Sequence, residues 1–477
     1  MKAEHMVRVA LVRCPATYLT YYRWPALGPS YLAALLEARG TEVRIFDALF
    51  NGWSAAELVE RIRSYAPTLV GFTAMTHEVK AAGEIAAALK ATMPCKVVVG
   101  GPHVTALPER TLQELPSFDY GICQEGETVL PRLVDLVSGE KGEAPESIPG
   151  LVYRQGAGEI RCNPSAPFLT SAELDGLPFP AFHQYYGGNP KALADPNDSY
   201  VIMTSRGCPF SCAFCMRVLG KHVRRRSAEN VVREIEQAVR RYGARRIHFS
   251  DEIFLADTPQ TRQALQLMIQ SGLHRRIQWR ACTRANFVTE ELIALARESG
   301  CFSLHMGVES GNDEILKNTN KGLTVARIRD AVAIIKKFKI PLQTYYILGH
   351  PGETRETIED TKNLAVELNT DEIAVGLMVP YPGTRIYEMA HRGEMGYRLL
   401  TEDWPDYDKY GGRALEIEGL PHEYLERQQR NVFLSLYLRN YRFLDAMKFF
   451  LTYRTGIAYI IKKQIGRLLG KGNTRPG

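Results

Sequence analysis

Cysteine and long apolar runs are scarce in this chain of 477 residues. It has nine cysteines, a small and odd number, which argues against a disulfide framework and favours metal binding or buried thiols. No apolar run approaches the roughly 18 residues that a membrane-spanning helix needs. The first residues, Met-Lys-Ala-Glu-His, lack the apolar stretch of a secretory signal. These absences predict a cytoplasmic protein, either soluble or peripheral to the inner face of the membrane.

Acidic residues are almost missing from the C-terminal end of the chain. From Arg439 onward there are nine basic residues and one acid, Asp445, so this tail carries a net charge of +8. The net charge of the whole chain is only +6, so the remaining residues carry −2. The rest of the chain is therefore close to neutral, which argues against a general nucleic-acid surface. The composition, 45% hydrophobic and 23% charged, is that of a globular protein.

The order of apolar segments predicts an α/β protein with four regions. In 1–140, short strands alternate with helices, which is typical of a doubly wound parallel sheet. Prolines interrupt 141–198, a linker with one small hairpin. In 199–395 a second alternation provides six strands, too few for a closed eight-stranded barrel but enough for an open six-fold (β/α) barrel. The last region, 396–477, is helical and ends in the basic tail.

Three cysteines lie together at the end of the first strand of this barrel. Cys208, Cys212 and Cys215 are separated by three and by two residues. Thiolates are soft ligands that bind iron–sulfur clusters or zinc. Three ligands leave one metal position open, whereas a zinc site would normally need a fourth ligand or a catalytic water, and the nearest histidine is His222. The spacing alone leaves both kinds of site open.

The position of the loop, at the carboxyl end of a barrel strand, is where such folds build active sites. Cys208-x3-Cys212-x2-Cys215 resembles the signature of radical S-adenosylmethionine (SAM) enzymes. The resemblance implies that the three thiolates hold a [4Fe–4S] cluster whose open iron binds SAM through its amino and carboxylate groups. It also implies that Phe214 packs near the adenine.

Other segments at strand ends resemble parts of the same family. After the second strand, Asp251 or Glu252 stands where the family binds the methionine amino group, although the glycines of that patch are absent here. The Asp-Glu-x-Phe form resembles the cobalamin-dependent branch of the family. After the fourth strand, Glu309 and Ser310 resemble the ribose-contacting segment.

Two further segments complete the predicted SAM site. Arg280 and Arg284 flank Cys282, and one of them, with Arg284 preferred, would pair with the methionine carboxylate. A solvated or substrate-facing charge is the alternative for each arginine. The segment Leu348-Gly-His-Pro-Gly-Glu353 is expected to shape the adenine pocket through its backbone.

The first domain lacks a dinucleotide fingerprint, because no Gly-x-Gly-x-x-Gly follows its first strand. Instead, Gly100 and Gly101 end the fourth strand, and Thr73 and Thr76 follow the third. Alone, such glycines fit a nucleotide site almost as well. The arrangement nevertheless resembles the cobalamin-binding domain that precedes the barrel in many radical SAM enzymes, and the resemblance implies that these four residues surround the nucleotide tail of cobalamin.

The first loop of this domain contains no histidine and lacks the Asp-x-His-x-x-Gly motif that ligates cobalt in other cobalamin proteins. The resemblance therefore implies that the lower face of cobalamin meets a residue in Tyr18–Trp24, with simple packing of these aromatics as the alternative. His103 is either a cobalamin contact or a turn residue.

Together these resemblances imply a cobalamin-dependent radical SAM C-methyltransferase that acts on a hydrophobic or natural-product substrate. The expected cofactors are a [4Fe–4S] cluster, SAM and cobalamin. The expected partners are a small-molecule or lipid substrate and an electron donor such as flavodoxin or ferredoxin, without nucleic acid. An oxidative ring-forming cyclase, similar to the anaerobic magnesium-protoporphyrin ester cyclase, would use the same cofactors without methyl transfer.

The basic tail also contains apolar residues at roughly helical intervals, from Phe443 to Leu469. A basic amphipathic helix is typical of a membrane-surface segment. A C-terminal helix that packs on the barrel mouth with a solvated charged face is the alternative. The sequence does not separate these two interpretations.

Overall fold

The computed structural model describes residues 7–15, 24–139, 143–156, 158–195 and 197–452. They belong to two compact units. The first contains the residues up to Gly188 together with Met216–Gly220, and the second contains Asn189–Cys215 and the residues from Lys221 onward. Where the chain could be cut into independently folding parts stays a prediction.

The first unit is built on one mixed sheet. Its strands are β1 (Arg8–Arg13), β2 (Glu42–Asp47), β3 (Leu69–Thr73), β4 (Lys96–Gly100), β5 (Tyr120–Ile122), β6 (Leu151–Gln155) and β7 (Glu159–Cys162). They lie in the order β2-β1-β3-β4-β5-β6-β7. The first five are parallel, and β6 and β7 are antiparallel. The predicted doubly wound parallel sheet is confirmed.

Helices connect these strands. They are α1 (Leu27–Ala38), α2 (Ala48–Asn51), α3 (Ala55–Tyr65), α4 (Val79–Thr92), α5 (Pro102–Ala106), α6 (Pro108–Glu114), α7 (Leu130–Ser138), α8 (Ser171–Gly176) and α9 (His183–Tyr186). The predicted hairpin is present as β6 and β7, and β6 pairs with β5. The first sheet therefore extends beyond residue 140.

The core of the first unit follows from the apolar strands. In β1, Val9 and Leu11 are buried, and they belong to the same cluster as Leu36 of α1 and Leu133 of α7. Burial of these side chains stabilises the parallel sheet. Four of its five parallel strands end in a polar or small residue: Arg13, Asp47, Thr73 and Gly100. In such sheets ligands bind at the carboxyl ends of the strands.

The second unit contains a six-stranded parallel sheet. Its strands are β8 (Tyr200–Ile202), β11 (Arg246–Phe249), β12 (Gln278–Thr283), β13 (Cys301–Glu309), β14 (Leu342–Leu348) and β15 (Glu372–Leu377); the two-residue strands β9 (Ser205–Arg206) and β10 (Arg224–Arg225) pair outside it. The order is β15-β14-β13-β12-β11-β8, so each new strand adds beside the previous one. The six predicted barrel strands are all present.

The helices that follow these strands are α10 (Ala228–Tyr242), α11 (Pro259–Gln270), α12 (Glu290–Glu298), α13 (Asp313–Asn318), α14 (Val325–Lys337), α15 (Arg355–Leu368) and α16 (Arg385–Arg392). Fully buried residues alternate along the strands with partly exposed ones. On the buried face Phe249 stacks on Phe254, with ring centroids 3.6 Å apart, and both pack edge-on against Trp279. The other face is the interior of the partial barrel.

The C-terminal region is helical, as predicted, and begins with a small two-stranded sheet. It contains β16 (Tyr397–Leu399), β17 (Leu415–Ile417), α17 (His422–Arg439) and α18 (Phe443–Thr452). Most of the predicted basic amphipathic tail, 453–477, lies outside the described residues. Among the helices that are described, none is both long enough and apolar enough to cross a membrane.

Candidate active site

The cysteine loop leaves the sheet at the carboxyl end of β8 and is closed at its base by β9 and β10. These strands pair antiparallel, with Arg206 opposite Arg224. The sequence analysis did not predict this ladder, because each strand has only two residues. It brings the start and end of the segment that carries the three cysteines side by side.

Two distant elements hold the middle of the loop. The backbone amide of Ala213, between the second and third cysteines, donates to Thr319 O at 2.8 Å. The carbonyl of Ala213 accepts from the amide of Ile386 at 3.1 Å. Asn320 Nδ2 donates to Ser211 Oγ at 2.7 Å and to Ser211 O at 3.1 Å. The backbone around the cysteines is therefore fixed by tertiary contacts.

The three cysteine residues are at least partly exposed on this loop. Cys208 and Cys212 are partly exposed and the Cys215 residue is exposed. Partial burial of the sulfur atom, together with the neighbouring Cys212 and Cys208, raises the pKa of Cys215 to about 11. Among the described residues, no three His, Cys, Asp or Glu side chains converge on a single-ion site. Cluster ligands need no such convergence, because each cysteine of a [4Fe–4S] cube binds a different iron.

A buried ion pair lies beside the loop. Lys321 Nζ donates to Glu309 Oε1 at 2.7 Å, and both side chains are about nine-tenths buried. Lys321 Nζ also lies 5.9 Å from the ring centroid of Phe214. Its positive charge lowers the pKa of the Cys212 and Cys215 thiols, against the larger opposing effect of burial. A cation near cysteines favours the thiolates that bind metal.

Glu309 itself has a constrained backbone. Its φ is +70°, in the left-handed region that side chains other than glycine rarely adopt. Such conformations cluster at functional sites, where the surrounding structure maintains them. The sequence analysis singled out Glu309 but missed Lys321, which lies twelve residues further on and has no local motif of its own.

Arg284 is a buried cation that pairs with no carboxylate in the part of the chain that the structure describes. Its residue is 4% exposed, and its guanidinium carbon lies 3.6 Å from the ring centroid of Phe210. Among the described residues, neither Nη1 nor Nη2 has a hydrogen-bond partner. Burial lowers the pKa of Arg284, whereas the nearby Cys212 and Cys208 raise it. A buried, unsatisfied guanidinium beside the cysteines fits the carboxylate of SAM.

The two acids after β11 occupy different environments. Asp251 is buried and accepts hydrogen bonds from Thr204 N at 3.0 Å, Thr204 Oγ1 at 2.9 Å and Ser205 Oγ at 2.6 Å. It therefore fixes the strand end from which the cysteine loop begins. Glu252 is exposed, and its charge contributes to raising the pKa of Cys215. Of the two acids, Glu252 is the accessible one.

Ser310 is fully buried, and its hydroxyl lies 3.2 Å from Thr361 Oγ1. This hydrogen bond ties the end of β13 to α15. Phe214, in contrast, is partly exposed and meets the imidazole of His350 edge to face, with ring centroids 6.0 Å apart. The two residues predicted near the adenosine group therefore differ in exposure. Phe214 is partly exposed, whereas the Ser310 hydroxyl is buried in a hydrogen bond within the protein.

The loop after β14 is held by a buried carboxyl group. Glu353 Oε2 accepts hydrogen bonds from the backbone amides of Gly349 and His350. Tyr397 Oη donates to Gly349 O at 2.9 Å. Burial raises the pKa of Glu353 to about 8 and lowers that of His350 to about 4. Both groups are thus favoured in their neutral forms at pH 7, which suits a water-poor pocket wall.

The interior of the partial barrel carries polar side chains that the sequence analysis did not bring together. Arg280 Nε donates to His248 Nδ1 at 3.1 Å, and His305 Nδ1 lies 2.9 Å from Tyr345 Oη. Burial and the Arg280 charge lower the pKa of His248 to about 3 and that of His305 to about 4. Arg280, the alternative to Arg284, therefore belongs to this interior network.

In the first unit, the four residues predicted to bind cobalamin lie at adjacent strand ends. Thr73 ends β3 and Gly100 ends β4, while Thr76 is buried in the loop that follows β3. Gly101 has φ +110°, and a Cβ there would lie 2.7 Å from Ala74 O, so this glycine lets the two loops pack together. A Cβ on Gly100 would meet only backbone oxygens, at 3.9 Å or more. No described side chain therefore crowds the backbone at Gly100.

The same edge of the first sheet carries a polar network that the sequence analysis missed. Tyr185 Oη donates to Asp47 Oδ2 at 3.0 Å and accepts from the amide of Ala26 at 3.2 Å. Arg13 Nη1 lies 3.7 Å from Asp47. His103 is buried in α5, and burial lowers its pKa to about 4. In Tyr18–Trp24, the predicted lower-face segment, only Trp24 lies within the described residues.

Comparisons with known proteins agree with both units. A model of the radical SAM superfamily matches residues 202–365, and a model of the B12 binding domain matches residues 18–134. The fold and the three-cysteine loop thus define a radical SAM enzyme. The chain is 34% identical over 418 residues to an uncharacterized methyltransferase of Pyrococcus horikoshii, covering 87% of this chain and 88% of the relative. The chain belongs to the cobalamin-binding radical SAM enzymes, whose cofactors are a [4Fe–4S] cluster, SAM and cobalamin.

Two further comparisons extend this result. The chain is 28% identical to the anaerobic magnesium-protoporphyrin IX monomethyl ester cyclase of Cereibacter sphaeroides, over 76% of this chain and 60% of the cyclase. The structure of the radical SAM methyltransferase TsrM from Kitasatospora setae, with cobalamin and a [4Fe–4S] cluster bound, aligns with a TM-score of 0.72 at 20% identity. That alignment covers 90% of this chain and 91% of TsrM, and it shows a shared fold.

Proposed function

We propose that this enzyme transfers a methyl group from methylcobalamin to an unactivated carbon of a hydrophobic or natural-product substrate. One observation carries the proposal: the three-cysteine loop stands beside the buried Arg284, whose terminal nitrogens lack partners among the described residues. The match of residues 18–134 to a B12 binding domain, and the 34% identity to a methyltransferase, support cobalamin as the methyl donor.

When bound, the reduced [4Fe–4S] cluster supplies the electron that cleaves SAM, and cobalamin supplies the methyl group. We propose that the sulfur atoms of Cys208, Cys212 and Cys215 hold the cluster. Arg284 would pair with the methionine carboxylate, since its buried guanidinium needs an anion. Glu252 would accept the methionine amino group, because its carboxylate is accessible.

The remaining predicted SAM contacts have supporting or positioning roles in this proposal. Phe214, packed on His350, would cover the adenine. Glu309, held by Lys321, would meet the ribose. Asp251 and Ser310 would position neighbouring backbone segments of the SAM site, because their oxygen atoms already form hydrogen bonds with Thr204, Ser205 and Thr361.

For cobalamin, we propose that Thr73, Thr76, Gly100 and Gly101 surround the nucleotide tail. Support comes from their common position at the carboxyl ends of β3 and β4 and from Gly100, where no described side chain lies within 4 Å of a Cβ built on the backbone. The hydroxyl groups of Thr73 and Thr76 provide hydrogen-bonding groups without charge. Such a surface suits a large ligand that approaches the backbone closely.

Radical SAM chemistry needs a substrate and a source of electrons. We propose that the substrate is a small molecule or lipid and that flavodoxin or ferredoxin donates the electrons. We also propose that the C-terminal region contacts the inner face of the membrane of a cytoplasmic enzyme. No nucleic-acid partner is proposed, since the chain outside the tail is nearly neutral.

A second candidate function is cyclisation without methyl transfer, favoured by the 28% identity to the cyclase of Cereibacter sphaeroides. The two functions differ in what becomes of the methyl group of SAM. A methyltransferase converts SAM to S-adenosylhomocysteine when it methylates cobalamin, whereas a cyclase forms 5′-deoxyadenosine alone.

The test uses the cluster-loaded protein with hydroxocobalamin, a chemical reductant and SAM carrying a deuterated methyl group. We expect S-adenosylhomocysteine together with cobalamin that carries the labelled methyl group. Formation of 5′-deoxyadenosine without either product would overturn methyl transfer and favour the cyclase.

A further inference from the structure

Exposed large apolar side chains are concentrated at the C-terminal end of the described chain. In the described residues there are nine such side chains, and seven of them fall between Leu438 and Leu451. The other two, Met75 and Met395, lie far from this segment in sequence and are single. Isolated exposed apolar residues are ordinary, whereas a contiguous group marks an interaction surface.

Five of these side chains form one stripe on α18, which we call the α18 stripe. Its members are Phe443, Leu444, Met447, Phe450 and Leu451. At about 100° per residue they fall within an arc of roughly 120°. All five are exposed, and Leu444 is 76% exposed. An amphipathic helix normally packs such a stripe against the core, whereas α18 exposes it to solvent.

The start of α18 is anchored to the body of the second unit. Arg442 Nη1 donates to Thr370 O at 2.6 Å, and Arg442 Nη2 donates to Asp371 O at 2.7 Å. Just before it, Asn440 Nδ2 donates to Val366 O at 3.0 Å. The stripe is therefore presented from a fixed junction, and packing of α18 on the barrel does not cover it.

The sequence that contains and follows the stripe is basic. Arg442 and Lys448 flank one acid, Asp445, in α18 and its junction. The segment 453–477 contains no acid and six basic residues, which are Arg454, Lys462, Lys463, Arg467, Lys471 and Arg475. An exposed apolar stripe next to clustered basic residues matches a bilayer with anionic headgroups, where both the apolar and the ionic contacts are favourable.

We propose that the α18 stripe binds the surface of an anionic lipid bilayer. The large apolar side chains enter the boundary between headgroups and acyl chains, and the basic residues that do not anchor the helix pair with the headgroup phosphates. This surface locates the membrane contact proposed above. Vesicle binding can be measured without turnover or cofactors, so its result tests this proposal independently of the proposed methyl transfer.

The test is sedimentation of the purified full chain with two kinds of vesicle. One kind contains phosphatidylcholine alone and the other contains phosphatidylcholine with phosphatidylglycerol. We expect binding to the anionic vesicles that weakens at high salt. The triple variant Leu444→Ser, Met447→Ser, Leu451→Ser should bind at least about tenfold more weakly, because it removes most of the apolar stripe.

A matched pair of single variants controls for general surface effects. Met447→Ser and Met395→Ser change the same side chain at similar exposure, 56% and 48%, in different places. Met447→Ser should weaken vesicle binding several-fold and Met395→Ser should not. Equal effects of the two variants, or binding that ignores lipid charge, would overturn the proposal.

Two other occupants of the stripe are outcomes of the same experiment. If the full chain does not bind vesicles but a variant lacking 453–477 does, the tail itself covers the stripe and the proposal is wrong. If the full chain sediments as a dimer that the triple variant breaks, without vesicle binding, a second copy is the occupant and the proposal is equally wrong.

Discussion

At the scale of single residues, the site combines charges that are satisfied with one that is not. Lys321 and Glu309 are buried together and neutralise each other at 2.7 Å. Arg284 is buried without a hydrogen-bond acceptor for its terminal nitrogens among the described residues. A protein normally avoids such a group, because desolvating an unpaired polar group costs free energy. The cost is understandable if SAM provides the missing anion.

This account predicts opposite effects of Arg284→Met on folding and on binding. Without SAM, the free energy of unfolding should stay unchanged or rise by about 1 kcal/mol, since an unsatisfied buried group is removed. SAM affinity of the cluster-loaded protein should fall about 10- to 100-fold, because a charge-assisted hydrogen bond is lost. Urea unfolding and equilibrium dialysis measure the two effects. The exposed Arg276→Met is the control, and unaltered SAM affinity in Arg284→Met would refute the role.

The ion pair predicts a different pattern. Lys321→Met leaves the Glu309 carboxylate buried alone and should cost about 3–5 kcal/mol of unfolding free energy. The double variant Lys321→Met, Glu309→Gln should cost clearly less, since no charge is left unpaired. Lys317→Met, at an exposed position on α13, should change stability by no more than about 0.5 kcal/mol. If the loss of unfolding free energy in the double variant equals the sum of the losses in the two single variants, the two side chains are not coupled and the prediction is wrong.

Residue-level prediction from sequence succeeded where a motif is local and failed where partners are distant. The three cysteines lie within eight residues, so their spacing was visible. Lys321 and Thr319, which hold Glu309 and the cysteine loop, lie more than one hundred residues beyond the loop. Only the tertiary structure brings them there. The roles assigned to the SAM and cobalamin contacts remain predictions.

At the scale of elements, the second sheet has one apolar and one polar face. Trp279 and Phe249 occupy the buried face, whereas His248, Arg280 and His305 occupy the interior of the partial barrel. The imidazoles are held neutral, because burial and the Arg280 charge both oppose protonation. The two imidazoles can therefore offer hydrogen bonds to a substrate without adding positive charge to that of Arg280.

These low histidine pKa values predict a stability that depends on pH. Unfolded histidine has a pKa near 6.5, so between pH 6.5 and about 4 the unfolded state binds more protons than the native state. The free energy of unfolding should therefore fall as the pH falls through this window. Each histidine contributes up to roughly 1.4 kcal/mol per pH unit.

Urea unfolding at several pH values, compared between the wild type and the variant His248→Gln, His305→Gln, isolates this effect. Glu353, whose pKa is raised to about 8, contributes the opposite slope between about pH 4.5 and 8, but it does so in both proteins. The variant should show a shallower loss of stability toward acid. Parallel curves would contradict neutral native imidazoles.

Element prediction was strong for long repeated patterns and weak for short ones. All six barrel strands and the five parallel strands of the first sheet were predicted, because most of them alternate with helices long enough to show a period. The two short helices between β4 and β5, α5 and α6, were not predicted. The ladder between β9 and β10 and the sheet of β16 and β17 were missed. Strands of two or three residues carry no measurable period, and tertiary contacts decide whether they pair.

At the scale of the whole molecule, the chain joins two units that would bind different cofactors. The first has the doubly wound strand order, with Thr73 and Gly100 at adjacent strand ends, that is expected for cobalamin. The second has the cysteine loop and the unsatisfied Arg284 expected for a cluster and SAM. Sequence analysis predicted this combination from resemblance. It did not decide between membrane contact and packing for the tail, most of which lies outside the described residues, and it did not predict that the α18 stripe is exposed.

The measurement that tests the central claim most directly is anaerobic purification, followed by iron, sulfide and cobalamin analysis and a SAM cleavage assay on the same sample. The account predicts about four irons per chain, as one [4Fe–4S] cluster requires, with bound cobalamin. It also predicts both 5′-deoxyadenosine and S-adenosylhomocysteine as products. A protein that binds the cluster and cleaves SAM but has no affinity for cobalamin would contradict the role of the first unit, and with it the proposed methyl transfer.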